Sequence, residues 1–189
     1  MKITKNHPTM PFLLVAFLAV AASAIASDAP RVPRTTLAAA EKSLDDRFSK
    51  LWSDNPFIML GPARGVYLEG YGAVFTAEVN LVAGPQISIL MQSATKQSIA
   101  EHRQKKIARI PELKKAMAKA LADTAASPEM AAVPPDEQIV LVVFLSHFPW
   151  EDLTGVPSQI MMQGSKKKLM DAQHEGGAAL EASIQAVQY

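Results

Sequence analysis

The residues best suited to acid–base chemistry follow a long apolar run in the C-terminal half of the chain. His147 comes directly after the run, and Glu151 and Asp152 follow four and five residues later. An imidazole near carboxylates is a common arrangement for general acid–base catalysis. Functional sites also tend to gather at the ends of strands in sheets that contain parallel pairs. We therefore take His147, Glu151 and Asp152 as the candidate catalytic residues of a hydrolase hypothesis.

A second histidine extends this hypothesis to a metal site. Asp171 and His174 are three residues apart, which places them on one face of a helix. If that helix met the segment at His147, two imidazoles and a carboxylate could bind Zn²⁺ or a similar ion. The spacing is common on helix surfaces, and no H-E-x-x-H motif is present. His147, Asp171 and His174 are thus candidate ligands, while no resident cofactor is predicted.

A cluster of lysines marks a candidate ligand-binding segment. If Ser165 caps a helix, Lys166, Lys167 and Lys168 fall in its first turn, where the helix dipole disfavours cations. Either the segment is simply solvated, or a bound anion compensates the charge. Ser165 and the three lysines are the candidate residues of such an anion site.

Three aromatic residues are candidates for a binding surface. Tyr67 and Tyr71 flank a glycine, and Trp150 lies in the segment after the apolar run. Tyrosine and tryptophan on loops are frequent in binding sites, although they also anchor loops to a core.

The composition excludes several kinds of chemistry. The chain contains no cysteine, which rules out disulfides, thiol catalysis, iron–sulfur clusters and thiolate zinc sites. No nucleophile elbow or glycine-rich phosphate motif is present. The formal net charge of +1 gives no global field toward nucleic acid.

The charges are nevertheless unevenly distributed. Residues 96–119 carry eight basic side chains and two acidic ones, whereas residues 123–152 carry six acids and no lysine or arginine. A basic helix can lie on an anionic membrane, but a solvated helix face is the ordinary explanation. Residues 96–121 contain no tyrosine or tryptophan on which bases could stack, so no nucleic-acid partner is predicted.

The N-terminal residues have the pattern of a secretory signal peptide. Lys2 and Lys5 precede an apolar run at 12–20, and Ala24-Ile25-Ala26 forms an A-x-A cleavage site. Cleavage after Ala24 and an uncleaved anchor are the alternatives. We expect residues 1–26 to be removed, which leaves no stable membrane span and a periplasmic or secreted protein.

The remaining chain has the pattern of an extended leader, 27–35, and one α+β domain, 36–189. Period-two alternation predicts a strand after Gly72, preceded by either a hairpin turn or a bulge. The run Gln138–Leu145 is apolar on both faces and predicts a central strand that is covered, or nearly covered, on both sides. Helices are expected at 36–53, at 95–125 with an interruption at Pro111, and at 165–174. Together these elements predict a small mixed or antiparallel sheet of four to five strands with helices packed on it.

The hypothesis that best fits these patterns is an exported, non-catalytic binding or interaction module of the cell envelope. Its partner would be an envelope protein or a small ligand, and its oligomeric state stays open. A hydrolase centred on His147 and a membrane-surface protein using the basic helix 96–119 are the alternatives.

Overall fold

The computed structural model describes residues 32–52, 58–84, 95–175 and 177–189. The predicted signal peptide and most of the leader lie outside the described residues. In chain order the elements are α1 (Arg34–Phe48), β1 (Ile58–Met59), β2 (Arg64–Leu68), β3 (Gly72–Asn80), α2 (Lys96–Ala125), a 3-10 turn (Pro128–Met130), β4 (Gln138–Leu145), β5 (Gln159–Ser165), α3 (Lys166–Glu175), α4 (Gly177–Ser183) and β6 (Gln185–Gln188).

The described strands form one mixed sheet that is five strands wide. The short strands β1 and β2 share one edge and both run antiparallel to β3. Strand β3 is parallel to β4, which requires the long crossover through α2. Strands β5 and β6 complete the sheet in antiparallel pairing. The predicted α+β class and the mixed sheet are confirmed.

Strands β2 and β3 form a hairpin rather than one bent strand. The amide of Tyr71 donates to the carbonyl of Leu68 at 3.0 Å and closes the turn. Gly70 has φ of +77° and Gly72 has φ of +134°, a region that glycine adopts without steric cost. A Cβ at Gly72 would lie 1.9 Å from the Gln138 carbonyl oxygen, so glycine also permits the close approach of β4.

Alternate side chains of β3 form one wall of the core. Strand register continues this wall across β4 and β5, and side chains of α1, α2 and α3 pack against it in one continuous cluster. The larger core residues of the sheet and of α2 are Phe75, Val79, Leu113, Met117, Leu121, Ile139, Leu141, Val143, Ile160 and Met162. Burial of alternating strand residues under helices is the arrangement that holds this two-layer domain together.

The opposite face of the sheet is not covered by any of the described helices. Val142 on this face is half-buried, and Phe144 is 42% exposed. Val140 on the same side is only 2% exposed, so the prediction that the strand 138–145 is covered, or nearly covered, on both sides holds at Val140 and fails at Phe144. An apolar run fits a strand with one covered face equally well when lateral strand neighbours shield the other face. We call this side the open face and define it by its side chains Arg64, Val66, Leu68, Val74, Thr76, Glu78, Val140, Val142, Phe144, Met161, Gln163 and Val187.

Helix α2 runs without interruption through Pro111. Proline cannot donate the hydrogen bond that would reach the carbonyl of Ile107, but both residues are exposed and water can take the donor's place. Thr95 caps the start, its hydroxyl accepting from the amide of Ser98 at 3.1 Å. None of the described helices combines the length and the hydrophobicity needed to cross a bilayer.

Candidate functional site

The loop after β4 is attached to α2 by a buried carboxylate. Glu151 accepts hydrogen bonds from the Lys106 ammonium and, at 3.0 Å, from the Phe148 amide. The Nε2 atom of His102 lies 3.2 Å from the same carboxylate. Lys106 also donates to the carbonyl of Ser146 at 3.0 Å, and the side chains of Lys106 and Glu151 are almost fully buried. A closed lysine–glutamate–histidine cluster thus fixes this loop on the helix.

Aromatic rings and a second ion pair strengthen the same attachment. The Trp150 ring meets the His102 ring edge to face, with centroids 4.9 Å apart, and stacks on the Phe148 ring at 5.6 Å. Arg103 pairs with the partly exposed Asp152 at 3.2 Å. The candidate residues Glu151, Asp152 and Trp150 therefore all contribute to holding the loop.

Burial lowers the pKa of His102 below its ordinary value of 6.5. The Glu151 carboxylate acts in the opposite direction, while the ammonium groups of Lys106 and Lys105 add to the lowering. The lowered pKa favours the neutral form of the His102 ring, and the hydrogen bond to the carboxylate fixes the ring orientation.

The other candidate histidines are not part of this cluster. His147 is exposed, and within the described part of the chain its side chain has no hydrogen-bond or ion-pair partner. His174 is exposed in the last turn of α3. In the described ranges no three His, Asp or Glu side chains are grouped closely enough to bind a metal ion. The structure therefore does not bring His147, Asp171 and His174 together.

The first turn of α3 contains three lysines, and Lys166 is turned inward. Its ammonium donates to the carbonyls of Met130 and Val133, both at 2.7 Å, and lies 3.4 Å from that of Ala131. Burial lowers the pKa of Lys166. The amides of Lys166 and Lys167 donate to the carbonyls of Glu137 and Pro135 at 2.8 Å. Backbone oxygens thus occupy the Lys166 ammonium and two of the amides that an anion would use, while the Lys167 and Lys168 side chains remain exposed.

Two of the candidate residues lie at a polar cleft of about 450 Å³ beside α3. Ser165 and Lys168 line it together with Gln163 and Gln185, whose amide groups are bonded to each other at 2.7 Å. The hydroxyl of Tyr71 donates to Gln163 at 3.3 Å. Because Gln163 is two strands away from β3, the Tyr71 side chain spans β4 at this end of the sheet.

Tyr67 lies on the helix side of the β2–β3 hairpin. Its hydroxyl donates to Glu137 at 3.2 Å, and the amide of Gly70 donates to the same oxygen at 3.1 Å. Burial, followed by the hydrogen bond to Glu137, raises the pKa of Tyr67. Tyr67 thus ties the turn to the segment that precedes β4.

The open face has exposed apolar side chains together with one basic and one acidic side chain. Val66, Leu68 and Phe144 are 49%, 46% and 42% exposed. Arg64 and Glu78 line a shallow cleft of about 240 Å³ beside Phe144. Exposed apolar side chains grouped on one face of a sheet are a feature of many protein interaction sites.

The edge strand β2 is shielded from pairing with another strand. Glu41 accepts from the Gly65 amide at 2.6 Å, and Asp45 accepts from the Ala63 amide at 2.7 Å. Arg34 binds Glu41 through two nitrogens, at 2.6 and 2.9 Å. Burial acts to raise the pKa of Glu41, but the bonds from Arg34 and Gly65 outweigh it and leave the pKa lowered. Occupied amides at this edge disfavour strand addition.

Several of the basic side chains on α2 are engaged within the domain. Lys106 is buried, Arg103 pairs with Asp152, and Lys119 lies 3.4 Å from Asp123. The Arg109 guanidinium stacks on Trp52 at 4.7 Å and bonds the carbonyl of Leu81. These contacts reduce the free positive charge that a membrane-surface role for helix 96–119 would use.

One local feature of the sequence indicates the buried cluster. Lys106 falls within the apolar stripe of α2, a position where a lysine either snorkels to water or finds a buried partner. His102 and the open face were not recognised as features of interest, because their environment depends on residues far away in the sequence.

Comparisons of the chain with protein-family models, with curated protein sequences and with solved structures found no match. The geometry of the described residues is therefore the basis for assigning a function.

Proposed function

We propose that this chain is an exported, non-catalytic interaction module of the cell envelope that binds a protein partner through the open face of its sheet. The observation that carries the proposal is the exposure of Val66, Leu68 and Phe144 on the side that lacks a described helix. Burying such side chains contributes about 25 cal/mol per Å² of apolar surface removed from water.

The distribution of buried charge supports binding over catalysis. Glu151 is enclosed by Lys106, His102 and a backbone amide, so its oxygens are engaged in holding a loop. His147 is on the surface and apart from that carboxylate's hydrogen bonds. A hydrolase would need an imidazole and a carboxylate that face a shared cleft.

The shape of the sheet supports a protein rather than a small molecule as the partner. The cleft beside Phe144 is about 240 Å³, below the roughly 300–1,000 Å³ of pockets for drug-sized ligands, and the larger cleft of about 450 Å³ at Gln163 is polar, whereas such pockets are mostly apolar. A broad surface with apolar and charged side chains resembles the sites that bind macromolecules.

Site-specific photo-cross-linking in the exporting cell tests the binding surface. A photoreactive amino acid at Phe144 should give a cross-linked adduct of defined mass, because this position would lie within the interface. The same group at Met170, an exposed apolar residue of α3, serves as the control and should give none. Absence of any adduct from position 144 would contradict the proposed function.

The export part of the proposal has its own measurement. The intact mass of the protein recovered from the exported compartment should correspond to residues 27–189, because signal peptidase cuts after an A-x-A site. The mass of the complete chain would show that the N-terminal segment is retained as an anchor.

A further inference from the structure

We infer that the partner on the open face is a second copy of this chain, so that two sheets pack face to face in a symmetric dimer. The inference rests on the proposed function, since it takes the open face as the binding surface. Three features of the face support a second copy: its size, its self-complementary charge and the protection of the neighbouring edge.

The size of the open face suits a small dimer interface. Five strands spaced about 4.8 Å apart, with residues rising about 3.3 Å each, give a face of roughly 600 Å² in projection. A twofold axis between Val142 and Phe144 lies near one end of β4, so the two sheets would overlap over part of this face. The interface would therefore be smaller than the roughly 800 Å² per partner of a standard interface.

The charges of the face are arranged so that it can complement itself. A twofold interface pairs one surface patch with an identical one, so each charge must meet the opposite charge of the other copy. Arg64 on β2 and Glu78 on β3 line the same cleft, yet no ion pair joins them in the described structure. The Arg64 charge acts on Glu41 without a described ion pair, and Glu78 accepts from the Ser146 hydroxyl on one carboxylate oxygen. The Arg64 guanidinium and the other Glu78 oxygen would form the pair with a second copy.

The register of the strands specifies how the two copies would meet. Val142 and Phe144 are successive residues on the open side of β4. A twofold axis that crosses the strands between them places Phe144 of each copy over Val142 of the other. The same axis brings Arg64 diagonally opposite Glu78 of the second copy, within reach of the long guanidinium side chain. Apolar contact at the centre with ion pairs at the rim is the usual anatomy of an interface.

The alternative route to a dimer, strand addition at the β2 edge, is disfavoured by the contacts of α1. Glu41 and Asp45 already accept from the amides of Gly65 and Ala63, so those donors are unavailable to an added strand. Strand addition at the β2 edge would therefore compete poorly with packing of a second copy on the open face.

Sedimentation equilibrium of residues 27–189 over about 1 to 100 µM tests the dimer, because an interface smaller than the standard size is expected to dissociate in the micromolar range. Wild-type chain should reach the dimer mass. Phe144→Asp should weaken association by about tenfold or more, as expected for a central apolar residue. Met170→Asp is the matched control, and it should dimerise like the wild type. Melting temperatures of both variants verify that the monomer remains folded.

A charge reversal provides a second test that does not depend on the apolar centre. Arg64→Glu should weaken the dimer, and adding Glu78→Arg in the same chain should restore it, because the two charges then exchange places. A monomer over the whole range would overturn the inference, as would a dimer that neither Phe144→Asp nor Arg64→Glu weakens.

The cross-linking experiment separates failure of this inference from failure of the proposed function. An adduct at position 144 with twice the mass of the chain supports the second copy. An adduct with another protein overturns the second copy but supports an interaction module. No adduct overturns both.

Discussion

Lys166 stabilises the junction between the 3-10 turn and α3 by donating to backbone carbonyls of residues 130 and 133. A buried carbonyl that loses its donor costs about 1–3 kcal/mol, because it has already given up its hydrogen bonds to water. The lysine is therefore a structural donor, even though three lysines in a first turn are unfavourable for the helix dipole.

We expect Lys166→Met to lower the free energy of unfolding by about 1–3 kcal/mol, since the carbonyls would lose their donor while the side-chain volume is nearly kept. Urea denaturation measures the change. Lys167→Met is the matched control, because Lys167 is exposed in the same turn and should change stability little. Equal effects of the two substitutions would show that the ammonium bonds contribute nothing.

His102 makes the stability of the domain depend on pH in the acidic range. Its pKa is lowered in the folded chain by burial and by the ammonium groups of Lys106 and Lys105, with the Glu151 carboxylate opposing. Below the ordinary value of 6.5 the unfolded chain therefore binds a proton more readily than the folded chain. The free energy of unfolding should fall as the pH decreases through 6.5 toward the folded pKa.

This pH dependence is measured by urea denaturation at a series of pH values in wild type and in His102→Gln. The variant should have a smaller decrease of stability, because glutamine does not titrate. His174→Gln, at an exposed position, should retain the wild-type decrease. If the free energy of unfolding fell with pH by the same amount in wild type and in His102→Gln, His102 would not be the source of the pH dependence.

At the scale of elements, β4 is central in the sheet but covered on one side only. Val143 is fully buried against the helices, and Val142 beside it is half-buried on the open face. Val143→Asp should prevent folding because it places a carboxylate in the core. Val142→Asp should fold cooperatively and lose about 1–2 kcal/mol. Near-ultraviolet circular dichroism distinguishes the two, and an unfolded Val142→Asp would indicate a second covering layer.

The β2–β3 hairpin requires two glycines for different reasons. Gly70 has open space around its Cβ position but a positive φ, so Gly70→Ala should cost about 1–2 kcal/mol. Gly72→Ala should cost clearly more, because its Cβ would collide with the backbone of Gln138 in β4. Thermal unfolding of both variants measures the difference. A Gly72→Ala variant no less stable than Gly70→Ala would contradict the close approach of β3 and β4.

The sequence predicted where helices and strands lie better than it predicted what packs against them. Alternation after Gly72 predicted β3, and the glycines predicted the turn, because both signals are local. The position of Lys106 in the apolar stripe of α2 indicated only that its stem lies along apolar surface, because its buried partner Glu151 is 45 residues away. The apolar run of β4 likewise fits one covered face or two, because the number of covering layers depends on where the other helices pack.

For the whole molecule, the segregation of charge has a structural explanation. The acidic segment 123–152 and the basic helix meet through the pairs Lys106–Glu151 and Arg103–Asp152. These contacts lie on the helical side of the sheet and hold the loop after β4 against α2. The open face, which they leave accessible, is the surface on which a partner would act.

Methionine oxidation tests the binding role of the open face most directly, because it requires no substitution. Met161 lies on the open face, Met162 beside it is 4% exposed in the core, and Met170 is 36% exposed on α3. Peroxide treatment followed by mass spectrometry gives the rate of oxidation of each methionine. Met161 should be oxidised more slowly in the exported compartment than in dilute purified protein. Met170 should be oxidised at the same rate in both conditions, and Met162 should not react in either. An equal rate at Met161 in both conditions would contradict a partner on this face.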